Sequence, residues 1–157
     1  MKDAVEMAVL SHIRHPAVVG VYGCFTDMVE EAGDPGASPP ASARLPRYRP
    51  LRPDDPQEAM ACSIIVMEYC DQGTLRDAIG RGVVHARMSD KMIAIDILTA
   101  AEILLQIARS IAFVHERGLL HCDIKTENIL IKTDVSSSLG FACKLADFGL
   151  AKMLNQE

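Results

Sequence analysis

His121-Cys122-Asp123-Ile124-Lys125-Thr126-Glu127-Asn128-Ile129-Leu130, with Leu145-Ala146-Asp147-Phe148-Gly149 downstream, decides how this 157-residue chain is read. The first stretch sets Asp, Lys and Asn at spacings 0, +2 and +5 in a loop, between the short apolar runs Leu119-Leu120 and Ile129-Leu130-Ile131. The second puts another Asp just after the apolar run Cys143-Lys144-Leu145. Phosphoryl transfer needs such a set. A carboxylate orients an attacking hydroxyl and accepts its proton, and a lysine offsets charge on the transferring group. An amide oxygen and a second carboxylate hold Mg²⁺.

Working outward, apolar residues recur at helical spacing from about Ile93 or Thr99 to Arg117, and Gly118 is the stop. The stripe of this long helix is expected at Leu104, Ile107/Ala108, Ile111 and Val114. Upstream, Thr74 to Ile79 reads as a short helix closed by Gly80, and Arg81 to Lys91 as a connection. Ser63 to Tyr69 reads as a buried strand, and Ala17 to Phe25 as another. Val5 to Ile13 has helical spacing, which His15-Pro16 must end. A loop is expected between Thr133 and Ala142, around Ser136-Ser137-Ser138 and Gly140.

Seven of the eight prolines fall between Pro35 and Pro56, so Gly33 to Ala59 lacks the periodicity of a core element and is expected to be a disordered insertion. Within it Pro50-Leu51-Arg52-Pro53 fits a PxxP pattern for an SH3-type partner, against the simpler reading of a solvated spacer.

Composition narrows the function classes. A formal net charge of −5 and 4% aromatics argue against a nucleic-acid binder, which needs basic surface or stacking faces. No uninterrupted apolar run reaches the roughly 18 residues of a membrane span; Met92 to Val114 is broken by Asp96, Glu102, Gln106 and Arg109. Met1 to Glu6 lacks the apolar core of a signal peptide. Five cysteines without a C-x-x-C pair speak against a disulfide framework or a zinc site and fit a reducing, cytoplasmic compartment. A different nucleotide-binding fold would need a G-x-x-x-x-G-K-[ST] loop, which the sequence does not contain.

H-x-D-x-K-x-x-N followed by D-F-G resembles the catalytic-loop and metal-loop pair of eukaryotic-type protein kinases. Val66-Met67-Glu68-Tyr69-Cys70 is similar to that family's hinge, and Glu6, ahead of His15-Pro16, to its helix-C glutamate. The resemblance implies an α+β protein-kinase-like fold, present in part. Residues 1–32 would be part of the N-lobe, 33–59 the insertion, 60–70 a strand and hinge, and 71–157 part of the helical C-lobe. It implies Asp123 as catalytic base and Lys125 on the phosphate, with Asn128 and Asp147 holding Mg²⁺. ATP would be the donor and a protein hydroxyl the acceptor. Met67 would be the gatekeeper. Glu68 and Cys70 would offer backbone hydrogen bonds to adenine, and Leu130 its apolar floor. Glu6 would meet a lysine that these residues do not include. Lysine two places after the base is the serine/threonine-type pattern, and the wording of the loop looks most like the tyrosine-kinase-like group of plants and green algae.

Two departures qualify these implications. Cys122 stands where the family usually has an arginine that answers an activation-loop phosphate, and a neutral thiol cannot make those charge-assisted pairs. No glycine-rich loop and no strand lysine precede Glu6, and whole domains of this kind run to roughly 250–300 residues. The chain is therefore expected to be the middle of a kinase domain, inactive on its own. The competing function is a pseudokinase-like module that binds partners without catalysis. His121 is expected to pack near Phe148 rather than to catalyse.

Overall fold

The computed structural model describes residues 13–31, 46–56, 60–89 and 92–154. Glu6 and all but Ile13 of the helix expected over Val5–Ile13 lie outside these residues. The chain divides into two compact units, residues 22–66 and residues 1–21 with 67–157.

The smaller unit is built on a three-stranded sheet in the order β2-β1-β3, with β1 at Val21–Glu30, β2 at Tyr48–Pro50 and β3 at Cys62–Met67. β1 starts later than the Ala17–Phe25 run suggests because Ala17 to Val19 are used elsewhere. Val18 N–H closes a turn onto His15 C=O at 3.1 Å, and Val19 N–H reaches Leu145 C=O at 2.9 Å. β3 falls where the Ser63–Tyr69 run places it but is not buried: Ile65, Val66 and Met67 are 43–46% exposed.

The expectation of a structureless insertion over 33–59 does not hold for residues 46–56. β2 pairs antiparallel with β1, Met28 opposite Pro50 and Glu30 opposite Tyr48. Glu31 N–H and Leu51 N–H extend the pairing to Arg47 and Asp27 carbonyls. Residues 52–55 form a turn, Asp55 N–H to Arg52 C=O at 3.1 Å. The Asp55 carboxylate takes Arg52 N–H and both terminal nitrogens of Arg49. Those bonds, Arg49 first, hold the Asp55 carboxyl at about 2. Polar pairing and a short ladder give order here, and neither leaves an apolar period to read. Pro50-Leu51-Arg52-Pro53 thus runs from a strand into a turn, not along a free polyproline helix.

The larger unit begins with α1, Leu75–Gly80, whose start is a capping box between Thr74 and Asp77. Residues 81–91, read as a plain connection, carry part of a hairpin: β4 at His85–Ser89 pairs antiparallel with β5 at Met92–Ile95. This moves the start of the long helix, α2, to Ile97–His115, with Asp96 as N-cap accepting from Leu98 and Thr99 N–H. Gly118 ends it at φ +68°.

The buried face of α2 is Ile103, Ser110 and Val114, with Ile107 partly buried against the same core; of the expected stripe Ile107 and Val114 hold, and Leu104, 65% exposed, gives way to its neighbour Ile103. One residue is 100° of rotation, and α2 is apolar on so much of its circumference that periodicity cannot choose. Ser110 is fully buried because its hydroxyl donates to Ile107 C=O at 2.7 Å. By length and composition alone α2 is also apolar enough to cross a bilayer. The face named above belongs to the core with Leu119, Ile129, Ile131, Cys143, Leu145 and Phe148.

Two antiparallel pairs complete the unit. β6, Leu119–Leu120, pairs with β9, Lys152–Met153; β7, Ile129–Thr133, pairs with β8, Phe141–Leu145. Gln106 on α2 accepts Cys143 N–H at 2.7 Å and fixes the helix against β8.

Leu145 is wholly buried, so Leu145→Ala should cost about 2–5 kcal/mol in urea denaturation. Leu104→Ala should stay within about 0.5 kcal/mol. The reverse ranking would mean that the helix is turned the other way.

Candidate active site

The loop that follows β6 turns sharply. Cys122 adopts φ +62°, a left-handed conformation costly for a side-chain-bearing residue, and its thiol is exposed. The turn sends His121 inward and lets the next residues curve into a 3₁₀ turn at Thr126–Asn128, from which β7 departs. His121 is 2% exposed and bonded at both ring nitrogens. Nδ1 accepts Asp123 N–H at 3.3 Å, which leaves Nε2 to donate to Ala146 C=O at 2.9 Å. Its ring lies 4.6 Å from that of Phe148. The packing role expected for His121 is the one observed.

Asp123, Lys125 and Asn128 meet. Lys125 Nζ lies 2.6 Å from Asp123 Oδ2. Asn128 Nδ2 donates to the same oxygen at 2.9 Å and to Asp123 C=O at 3.0 Å. Among the described residues Asp123 Oδ1 takes no hydrogen bond, so one oxygen is held and the other can receive a proton. The Lys125 ammonium, then the Asn128 amide, holds the Asp123 carboxyl below its usual range, and Asp123 in turn raises Lys125. Asn128 is 6% exposed, and its committed Nδ2 leaves Oδ1 as a neutral oxygen donor.

Asp147 follows Leu145 and Ala146 with φ +59°. Its neighbours Ala146 and Phe148 are buried while Asp147 is exposed, so the backbone turns the acid outward between two anchors. Ala146 N–H donates to Asn128 C=O at 2.9 Å, which ties this turn to the loop that carries Asp123. Gly149 N–H donates to Asp147 Oδ1 at 3.2 Å. A carboxylate and an amide oxygen are hard donors, and the residues present fit a small divalent cation whose other ligands are phosphate oxygens and water. Among the described residues no three His, Cys, Asp or Glu side chains converge on a metal position.

The residues matched to adenine are less tightly gathered. Met67 ends β3 and is 46% exposed. Leu130 on β7 bridges Thr74, and Ile131 exchanges backbone hydrogen bonds with Gln72 and Gly73, so the segment after Cys70 runs beside β7. Burial, then the Glu68 charge, pushes the Cys70 thiol up. The Glu68 side chain has partners that sequence reasoning missed: Lys132 at 2.8 Å and Lys144 at 3.0 Å. The available signal was Lys144 itself, a lysine inside the apolar run Ala142 to Ala146, where a charge needs a partner.

A family model described as "Protein kinase domain" matches residues 2–157. The chain belongs to that family. "Probable serine/threonine-protein kinase kinY" of Dictyostelium discoideum is 31% identical over 152 residues, covering 97% of this chain and 21% of that protein. A second protein of that organism, also named a probable serine/threonine-protein kinase, is 36% identical over 96% of this chain and 18% of its own length. "Calcium-dependent protein kinase 6" of Plasmodium berghei is 36% identical over 65% of this chain and 6% of its own length. The chain thus spans about a fifth or less of these relatives. Protein kinase domains use ATP and a divalent metal, and the α+β content of the chain agrees with part of such a domain.

The Glu68 cluster predicts an acid dependence. Burial pushes its carboxyl up, but Lys132, Gly20 N–H and Lys144 outweigh that and hold it at about 2, against an ordinary 4.5. A depressed carboxyl contributes stability that is complete above its unfolded pKa and is lost as pH falls through the folded one. The urea midpoint of the natural chain should exceed that of Glu68→Gln at pH 6, and the gap should narrow from about pH 4.5 downward. A gap that widens on acidification would contradict the assignment.

Proposed function

We propose that the chain carries the catalytic segment of a cytoplasmic, ATP-dependent protein serine/threonine kinase. The observation that supports this most is the Asp123 carboxylate, held at Oδ2 by Lys125 and Asn128 and open at Oδ1, with Asp147 joined to the same loop through His121 and Ala146. In this reading Oδ1 of Asp123 receives the hydroxyl of the substrate serine or threonine, aligns it and takes its proton. Lys125 leaves Asp123 to meet the γ-phosphate, where its charge offsets what develops on the equatorial oxygens. Asn128 Oδ1 and Asp147 would hold Mg²⁺, which when bound would supply charge neutralisation to the phosphates. The backbones of Glu68 and Cys70 take adenine, with Met67 behind it and Leu130 beneath. Glu6 is reserved for the lysine that orients the α- and β-phosphates.

The serine/threonine preference draws on Lys125 and on the names of the two Dictyostelium discoideum relatives. Cys122, exposed beside the base, offers an activation-segment phosphate no guanidinium to pair with, so activity should not depend on such a phosphate. All five cysteines are free thiols, which suits the cytoplasm. The 157 residues alone should bind nucleotide without transferring phosphate at a useful rate, because positioning is most of catalysis in this class.

Calorimetric titration of the chain with ATP and Mg²⁺ tests the binding half. Asp147→Ala should lose the Mg²⁺-dependent part of affinity, and Asp123→Ala should keep it. In a complete kinase domain containing these residues, Asp123→Ala should lower kcat by about 10²–10⁴ with little change in KM for ATP. Undiminished turnover in that variant would overturn the proposal. Binding without turnover in that complete domain, with its natural sequence, would favour the non-catalytic module.

A further inference from the structure

The side chain of Glu68 does more than its backbone role requires. Its Oε1 takes Lys132 Nζ at 2.8 Å, and its Oε2 takes Lys144 Nζ at 3.0 Å and Gly20 N–H at 3.1 Å. Glu68 N–H donates to Gly20 C=O at 2.7 Å, so the two residues bond in both directions. Lys144 is 7% exposed and also donates to Pro16 C=O at 2.7 Å. One carboxylate therefore joins segment 67–70, residues 16–20 and the two strands β7 and β8. Three residues beyond Lys144 on the β8 side stands Asp147, and the intervening Leu145 is pinned to Ala17 and Val19 by backbone bonds of 2.9 Å each.

Buried ion pairs add little net stability compared with an apolar replacement, because desolvation cancels most of the attraction. Their attested use is to fix one arrangement among several. Here the arrangement fixed is the placement of segment 67–70 relative to β8, the strand that leads into the Asp147 turn. We infer that Glu68 is a positioning residue of the nucleotide site, whose carboxylate makes segment 67–70 and the Asp147 turn open and close as one body. This rests on the kinase reading, in which the first takes adenine and the second the metal. The more exposed Lys132 contributes less than Lys144, since an exposed pair is screened by water.

Amide hydrogen exchange on the whole 157-residue chain tests this in two arms. Without nucleotide, Glu68→Gln should speed exchange roughly tenfold in both 68–72 and 145–149, because hydrogen bonds to charged groups are lost. Exchange in β6 and in the Ile103–Val114 part of α2 should stay unchanged. Lys144→Met should do the same, and Lys132→Met should raise both segments by a smaller factor, which keeps the test alive if the other variants fold poorly. Faster exchange confined to 68–72, or spread evenly over the chain, would overturn the inference in favour of local or general stabilisation. In the second arm adenosine, which can reach only the adenine end, should slow exchange at 145–149 in the natural chain and not in Glu68→Gln. Equal slowing in both would also overturn it. No adenosine effect in the natural chain at any segment would instead remove the nucleotide reading and the positioning role with it, a failure separate from loss of coupling in the first arm.

Discussion

The main-chain groups of Leu145 and Ala146 reach three other segments at once. Leu145 N–H and C=O bond to Ala17 and Val19, Ala146 N–H bonds to Asn128, and Ala146 C=O receives His121 Nε2. Both residues are buried, so an unmade bond at either would leave a desolvated polar group. That constraint places the Asp123–Asn128 loop, the Asp147 turn and the segment before β1 around two consecutive peptides. It also explains why Asp147 adopts φ +59°. With Ala146 fixed on one side and Phe148 packed on His121 on the other, the left-handed turn is the geometry that leaves the acid outside.

Charge is distributed over this frame in two clusters. At Asp123 the partners are few and partly exposed, so the attraction is modest. At Glu68 the partners are several and Lys144 is buried, so the arrangement is fixed. The two acids differ in the burial and number of their donors rather than in kind.

Much of the site was legible in the sequence because its residues are close in the chain. Asp123, Lys125 and Asn128 fall within one loop, and local spacing predicts their meeting without knowledge of the fold. The strands β6, β7 and β8 were equally legible, being short apolar runs between turn signals. What was not legible depends on long-range or polar pairing. β2 and the Arg49–Asp55 turn have no hydrophobic period, and the hairpin of β4 and β5 sits where composition suggests only a connection. On α2 the positions Ile107 and Val114 were legible, but Leu104 stood in for the buried Ile103, because a helix apolar nearly all round gives little phase and a buried serine bonded to its own backbone helps mark the face. The Glu68–Lys144 pair joins residues far apart in the chain and announces itself only as a charge in an apolar strand.

In the proposed reading the Asp123–Asn128 loop and the Asp147 turn form one metal–nucleotide site. Paramagnetic broadening measures this directly: Mn²⁺ added with ATP in place of Mg²⁺, and amide resonances of the 157-residue chain followed by NMR. The account predicts that the amides of Asn128 and of Asp147 to Gly149 broaden first and together, only when ATP is present, and that Asp147→Ala abolishes both effects. Broadening centred elsewhere, or confined to one of the two segments, would contradict it.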